Sequence, residues 1–380
     1  MKVASILFRN GSFEQQKNDE NLNFNEADLV LGFGARELVS DPVIYERIKE
    51  MFPVSNLVLC SSSGEISGTE VLDNTISFTA IEFSSTVIKS SEVNISDFAD
   101  SFEAGKSLME NIIPDNLKFV LVISDGGLVN GSELVKGMNA SKSDDVLIMG
   151  GLAGDAARFE KTVVGLNKLP SQGQIVALGF YGDKIVLSHG SLGGWESFGL
   201  ERTVTKSSAN VLSEIDDKNV LDLYKNYLGK YADELPGSAL LFPLAIKIDD
   251  SDEPIVRTIL SIDENNSTMT FAGDIPEGSK VRFMKANFDR LIDAASGAAG
   301  ACLDINSFTP KLALLISCVG RKLILGSRID EEVEAVSEIF GKQTMLTGFY
   351  SYGEISPLKP FADCVLHNQT MTITSLNEIE

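Results

Sequence analysis

The stretch GFYSYGEISP, residues 348–357, breaks a strand with glycine, tyrosine and serine and holds one carboxylate, Glu354, where a turn would place it. The same Gly-Glu-Ile-Ser occurs near the other end of the chain, in CSSSGEISG at residues 60–68. Each copy closes the same order of elements. In the first, SDPVIYERIKEMFP reads as a helix with Asp41 as N-cap, Pro42 in the first turn and Val43, Ile44, Ile48 and Met51 on one face. NLVLC then reads as a strand before the turn, and NTISFTAIEF as an alternating strand after it. In the second, KLALLISC is a strand, VGR a turn, and DEEVEAVSEIF a helix capped by Asp330 with Val333, Val336, Ile339 and Phe340 on one face. QTMLTGFYSYGEIS and the alternating HNQTMTIT come next.

These copies predict one unit used twice, with Gly34 matching Gly320, Gly64 matching Gly353 and Arg36 matching Arg321. A weaker third copy lies between them: KFVLVISDGG, a helix around SELVKGMNA, the strand DVLIMGG, then LAGD and KTVVGLNKLPSQGQIVALGF. Here Gly154-Asp155 takes the place of Gly-Glu. Strands alternating with helices predict an α/β to α+β fold of layered mixed sheets and helices. The length predicts two domains, 1–215 and 216–380, divided around the helix in NVLDLYKNYLGKYADELPG.

With 43% hydrophobic and 23% charged residues the 380-residue chain has a globular composition. A formal charge of −22 repels phosphate, which argues against nucleic acid and anionic membranes as partners. MKVASILFRNG, whose short apolar run ends at Arg9, reads as a first strand rather than a signal peptide, and no apolar run is long enough to cross a bilayer. Four cysteines without a CxxC pair read as reduced core thiols, and the expected location is cytoplasmic.

Together CSSSGEISG, GGLAGDAARFEKTVV, FAGDIPEG, SCVGRKLILGSRIDEEVEAV and GFYSYGEISP with LHNQTMTIT resemble the FIST family of bacterial and archaeal sensory domains. The resemblance runs from Asp28 to Thr374 and spans a FIST N-terminal and a FIST C-terminal region. It implies a small-ligand sensor of signal transduction, often fused to or encoded beside a histidine kinase, a cyclic-di-GMP enzyme or a chemotaxis-type domain. Amino acids or their derivatives are the ligands suggested for the family, and some members bind haem and respond to nitric oxide. Because FIST-like segments fill this chain, the expectation is a stand-alone sensor without catalytic activity or resident cofactor, acting on a separate partner. A haem-based nitric oxide sensor and an enzyme of a small amino-acid-like metabolite are the alternatives.

Arg321 and Glu354 each follow an apolar strand, where a guanidinium grips a carboxylate and a glutamate receives an ammonium, so the pair points to a zwitterion. Tyr350 and Tyr352, two apart, would share a face if the strand continues to them, and Gly353 allows close backbone approach. His367 and Asn368 in LHNQT would flank the same turn, with His367 the axial ligand if haem binds. The competing reading is a structural Arg–Glu pair and a structural histidine. Gly154 and Asp155 in MGGLAGD form a turn that lines a second candidate pocket, but that segment lacks the lysine and serine or threonine of a P-loop. His189 is the only other histidine, and there is no GxSxG elbow or HExxH. Cys318, close to Arg321, is either a lowered thiol or an inert core cysteine.

Overall fold

The computed structural model describes residues 1–53, 56–112, 115–143, 145–235, 237–247, 254–305, 308–359 and 362–379. A first unit runs β1 (Lys2–Arg9), β2 (Ser12–Lys17), β3 (Leu29–Gly34), α1 (Arg36–Val39), α2 (Pro42–Met51), β4 (Asn56–Ser61), β5 (Glu65–Ser67), β6 (Glu70–Leu72) and β7 (Ile76–Glu82). Asp41 caps α2 as expected, accepting from the amides of Val43 and Ile44. A second unit runs β8 (Val87–Asn94), α3 (Ser101–Glu110), β9 (Leu117–Ser124), α4 (Gly131–Ser141), β10 (Leu147–Leu152), β11 (Val164–Leu166) and β12 (Gln174–Tyr181).

The third unit opens with β13 (Ile185–Leu192) and is then interrupted. The insertion contains β14 (Glu196–Ser208), β15 (Val211–Ile215), β16 (Lys218–Asn219), α5 (Val220–Leu228), β17 (Leu244–Lys247), β18 (Ile255–Arg257), β19 (Ile259–Asp263), β20 (Thr268–Phe271) and β21 (Lys280–Lys285). The unit resumes with α6 (Phe288–Ile305), β22 (Leu312–Cys318), α7 (Val319–Leu325), α8 (Ile329–Phe340), β23 (Met345–Ser351), β24 (Gly353–Pro357), β25 (Cys364–His367) and β26 (Met371–Glu378). The result is a layered arrangement of mixed sheets and helices.

Each unit supplies four adjacent strands of a six-stranded sheet: β4-β3-β7-β1, β10-β9-β12-β8 and β23-β22-β26-β13. In each, the first two strands run parallel across a helical crossover and the rest are antiparallel. Past each crossover, the short strands leave their own sheet and join a neighbouring one. β5 and β6 extend the third sheet at β23, β11 extends the first at β4, and β24 and β25 extend the second at β10. This exchange closes cyclically, giving an approximate three-fold repeat. Three backbone hydrogen bonds trace it: Ser63 N to Tyr350 O at 2.8 Å, Gly154 N to Ser61 O at 3.0 Å, and Tyr352 N to Leu152 O at 3.1 Å.

Alternation along the strands fills two kinds of core. Leu29, Leu31 and Phe33, with Phe119, Leu121, Ile123, Leu312, Leu314 and Ile316, turn into one central core shared by all three sheets. Their alternate neighbours pack outward: Val30 with residues of α2, Val120 and Val122 with residues of α3 and α4, and Ala313 and Leu315 with residues of α6 and α8. Gly150 and Gly348, at φ 155° and 150°, occupy matching sites where a Cβ would run into the carbonyl oxygens of Val122 and Leu315.

The repeat is real, but its register differs from the expected one. Gly34 pairs with Ser61 while Ser317 pairs with Tyr350, so Ser317, not Gly320, is the counterpart of Gly34. Arg36 and Arg321 are therefore not equivalent. VGR is the first turn of a helix, and the N-cap of α8 is Arg328 rather than Asp330, whose carboxylate instead accepts from Val71 N at 2.8 Å.

The inserted strands form an eight-stranded sheet over a separate core that includes Val204, Tyr224, Phe271 and Phe283. The boundary expected at 215/216 falls within this sheet, and β22 to β26 join sheets begun before it.

Candidate functional site

The residues expected to converge are divided among the cores. Arg321 is fully buried, and its guanidinium pairs with Glu332 at 2.6 Å while donating to the carbonyls of Gly193 at 2.6 Å and Leu291 at 2.7 Å. Glu332 also accepts from Ser317 at 2.9 Å and from the Tyr350 hydroxyl at 2.9 Å. A buried guanidinium needs such compensation, and this one has none left for a ligand. The structural Arg–Glu pair thus exists, with Glu332 in place of Glu354. Tyr350 and Tyr352 do not share a face, because β23 ends at Ser351 and the chain bends before Gly353 opens β24.

Glu354 sits in a closed cluster. Its oxygens accept from Ser351 Oγ at 2.7 Å, Thr370 Oγ1 at 2.9 Å and Thr370 N at 3.2 Å. Glu65 repeats the pattern with Ser62 Oγ at 2.5 Å, Thr75 Oγ1 at 2.8 Å and Thr75 N at 3.2 Å. Burial outweighs these bonds and raises both carboxyls from their ordinary value of 4.5, Glu65 to about 7 and Glu354 to about 8. The two GEIS turns are therefore the same device used twice.

His367 pairs in register with Glu354, and its Nε2 lies 3.0 Å from the carbonyl oxygen of Ser356. Burial lowers its pKa to about 4. With Nε2 engaged by the backbone and the ring outside the large cavity beside the inserted sheet, His367 does not fit an axial haem ligand. Asn368 is buried, donates to the His367 carbonyl at 3.0 Å and leaves Oδ1 without a partner. Burial drives the Cys318 thiol up, so it is the inert cysteine of the two readings. Among the described residues no group of histidine, cysteine or acidic side chains is placed to hold a metal ion.

The space lies elsewhere. A cavity of about 710 Å³ opens between the three-fold body and the inserted sheet. On the body side it is lined by residues 126–131, 159–162 and 318–320 and by Tyr352; on the inserted side by residues 258–261 and 270–273. Of the candidate ligand-binding residues Tyr352 lines it, and so does Cys318.

The turn at 155–162 is where the second unit departs from the repeat. Two residues lie between Ser61 and Gly64 and between Tyr350 and Gly353, whereas ten lie between their counterparts Leu152 and Val163, so the turn carries eight extra. Val164, not Asp155, holds the strand position of Glu65 and Glu354. Asp155 instead anchors the extra residues: buried, it accepts from Arg36 at 2.7 Å, Arg158 Nε at 2.9 Å and Lys161 N at 3.2 Å. Gly154 does not line the cavity; it packs against Ser63, where an added Cβ would meet Ser63 Oγ, and its N–H donates to Ser61 O. Beyond Asp155, Ala156 and Phe159 take left-handed backbone conformations at φ 49° and 55°, uncommon for residues with a Cβ. Phe159 is held there by stacking on Tyr352, ring centroids 4.6 Å apart, and by donating its N–H to the Tyr352 hydroxyl at 3.0 Å.

Both neighbouring walls are tied to this turn or to the body. Thr162 Oγ1 accepts from Gly126 N at 2.9 Å, and Asp125 Oδ1 gathers the amides of Gly127 and Leu128 at 2.8 and 2.7 Å. Across the cavity, buried Arg257 docks the inserted sheet by donating to the Leu366 carbonyl at 2.9 Å. Burial lowers its pKa to about 10, which leaves it charged at neutral pH. Next to it, Thr258 Oγ1 is buried without a hydrogen-bond partner among the described residues. The two departures from three-fold repetition, the long turn and the inserted sheet, meet at this one cavity. Sequence reasoning missed Phe159, Arg257 and Thr258; the extra length of DAARFEKT relative to the other copies was the available signal.

A FIST N domain matches residues 28–218 and a FIST C domain matches residues 221–357. An uncharacterised protein of Methanocaldococcus jannaschii is 23% identical over 357 residues, a match covering 82% of this chain and 66% of that protein's length. A crystal structure of a cyanuric acid hydrolase from A. caulinodans superposes with a TM-score of 0.36 at 7% identity, over 94% of this chain and 92% of the other. No helix among the described residues is long and apolar enough to cross a membrane.

Proposed function

The chain belongs to the FIST family, whose domains are sensory domains of signal transduction, and from that premise we propose that it is a small-ligand sensor whose site is the cavity between the three-fold body and the inserted sheet. One observation carries the reading: the two features that break the repeat both line that cavity, whose volume is in the range of small-molecule pockets. The ligand contacts the long turn on one wall and the inserted sheet on the other, so occupancy favours the packing in which both walls are engaged. Only such a difference in affinity between two packings transmits a signal. The recipient is a separate cytoplasmic partner, a histidine kinase or a cyclic-di-GMP enzyme, and the chain itself performs no chemistry. Haem has less support, since neither His367 nor His189 lines the cavity.

A calorimetric screen of cytoplasmic metabolites tests this, comparing the parent chain with Leu128→Trp, which fills the cavity mouth. Saturable binding lost in the folded variant is expected. Ligands that bind both chains equally would place the site elsewhere, and turnover of a bound molecule would make the chain an enzyme.

A further inference from the structure

The cavity carries a specification of its ligand. Its mouth is rimmed by Leu128, Phe159 and Leu260, large apolar side chains left 58%, 48% and 47% exposed. Such residues gathered at one opening mark a surface that expects an apolar occupant. Two charged side chains line the cavity, Glu160 and Lys161. Glu160 lies 3.7 Å from the Arg36 guanidinium, whereas no ion pair or hydrogen bond is seen for the Lys161 ammonium among the described residues. On the inserted sheet Thr258 also lines the cavity, but its hydroxyl is buried away from it and has no partner among the described residues.

Resting on the reading of this cavity as the sensory site, we propose that it takes a small apolar carboxylate rather than a zwitterion. The apolar body lies between Phe159 and Leu260, and the carboxylate meets Lys161. Among the described residues lining the cavity the one carboxylate is Glu160, which already faces the Arg36 guanidinium, while Asp155 and Glu354 lie outside it in their own networks.

Three probes separate the terms: 3-phenylpropionate, phenylalanine, which adds the ammonium, and 3-phenylpropanol, which removes the charge. Calorimetry on the full chain is expected to give tightest binding for 3-phenylpropionate. Phe159→Ala should weaken it roughly tenfold, the scale of a lost aromatic contact. Lys161→Met should weaken it roughly threefold, the scale of a solvent-exposed ion pair, and leave 3-phenylpropanol unchanged. Phenylalanine binding as tightly as 3-phenylpropionate, or a Lys161→Met variant indifferent to the carboxylate, overturns the proposal while the cavity remains the sensory site. Absence of binding by all three probes also overturns it; if metabolites in the broader screen still bind and are blocked by Leu128→Trp, the sensor reading survives alone.

Discussion

At the scale of single residues the structure separates two roles that one motif suggested. Arg321 is a joint. It fastens Gly193, just before the insertion, and Leu291, just after it, to Glu332. Arg321→Met should therefore cost about 3–5 kcal/mol in urea denaturation, because Glu332 is left as an unpaired buried charge. Thr258→Val should leave stability unchanged or raise it, since the hydroxyl it removes has no partner. The twin carboxyls give a pH test. Their folded pKa values lie above the ordinary 4.5, so the folded state holds protons that the unfolded state has released between about pH 4.5 and 7 to 8. The stability they confer is full below 4.5 and is lost as pH rises through that window. The stability of Glu65→Gln/Glu354→Gln relative to the parent should accordingly improve from pH 4.5 to 8, and parallel profiles would contradict the assignment. The sequence made Glu354 conspicuous but not its partners. Thr370 lies sixteen residues away and Glu332 comes eleven after Arg321, separations that carry no pattern until strands are paired.

At the scale of elements, much was readable. The helices capped by local signals, such as α2 under Asp41, form where expected, and period-two alternation marks β7 and β26. The alignment of the copies was misread because a matched Gly-Arg pair outweighed strand register, which only the ladder fixes. Equivalence is testable at the matching glycines. Gly150→Ala and Gly348→Ala should each destabilise by more than about 1 kcal/mol, since the added Cβ meets a neighbouring carbonyl and φ is unfavourable. Two mild effects would undo the claimed correspondence. The long turn should behave oppositely, because its contacts, with Tyr352, Ser63, Glu37 and Arg36, lie outside the ladders and its removal leaves these intact. Replacing residues 156–161 by a short glycine linker should preserve the thermal transition and abolish ligand binding, whereas a chain that unfolds would make the turn structural.

At the scale of the whole molecule, the cyclic exchange of strands makes the body indivisible. The second and third sheets need β22 to β26, so residues 1–215 alone should fail to give a cooperative unfolding transition; a well-folded fragment would refute the exchange. Composition and motif order pointed to the family and the fold class, but not to an insertion within a third repeat, since its strands read like those around them. The cavity was invisible for the same reason: its walls are assembled from segments far apart in the chain, namely 126–131, 258–261 and 318–320. On the proposed reading, that junction is where a bound molecule would touch the three-fold body and the inserted sheet at once. Amide hydrogen exchange on the full chain, with and without the tightest ligand from the metabolite screen, tests it most directly. Slowed exchange is expected at 126–131, 159–162, 258–261 and 270–273 together; protection around Arg321 and Glu354 with those four segments unchanged would rule the cavity out as the sensory site.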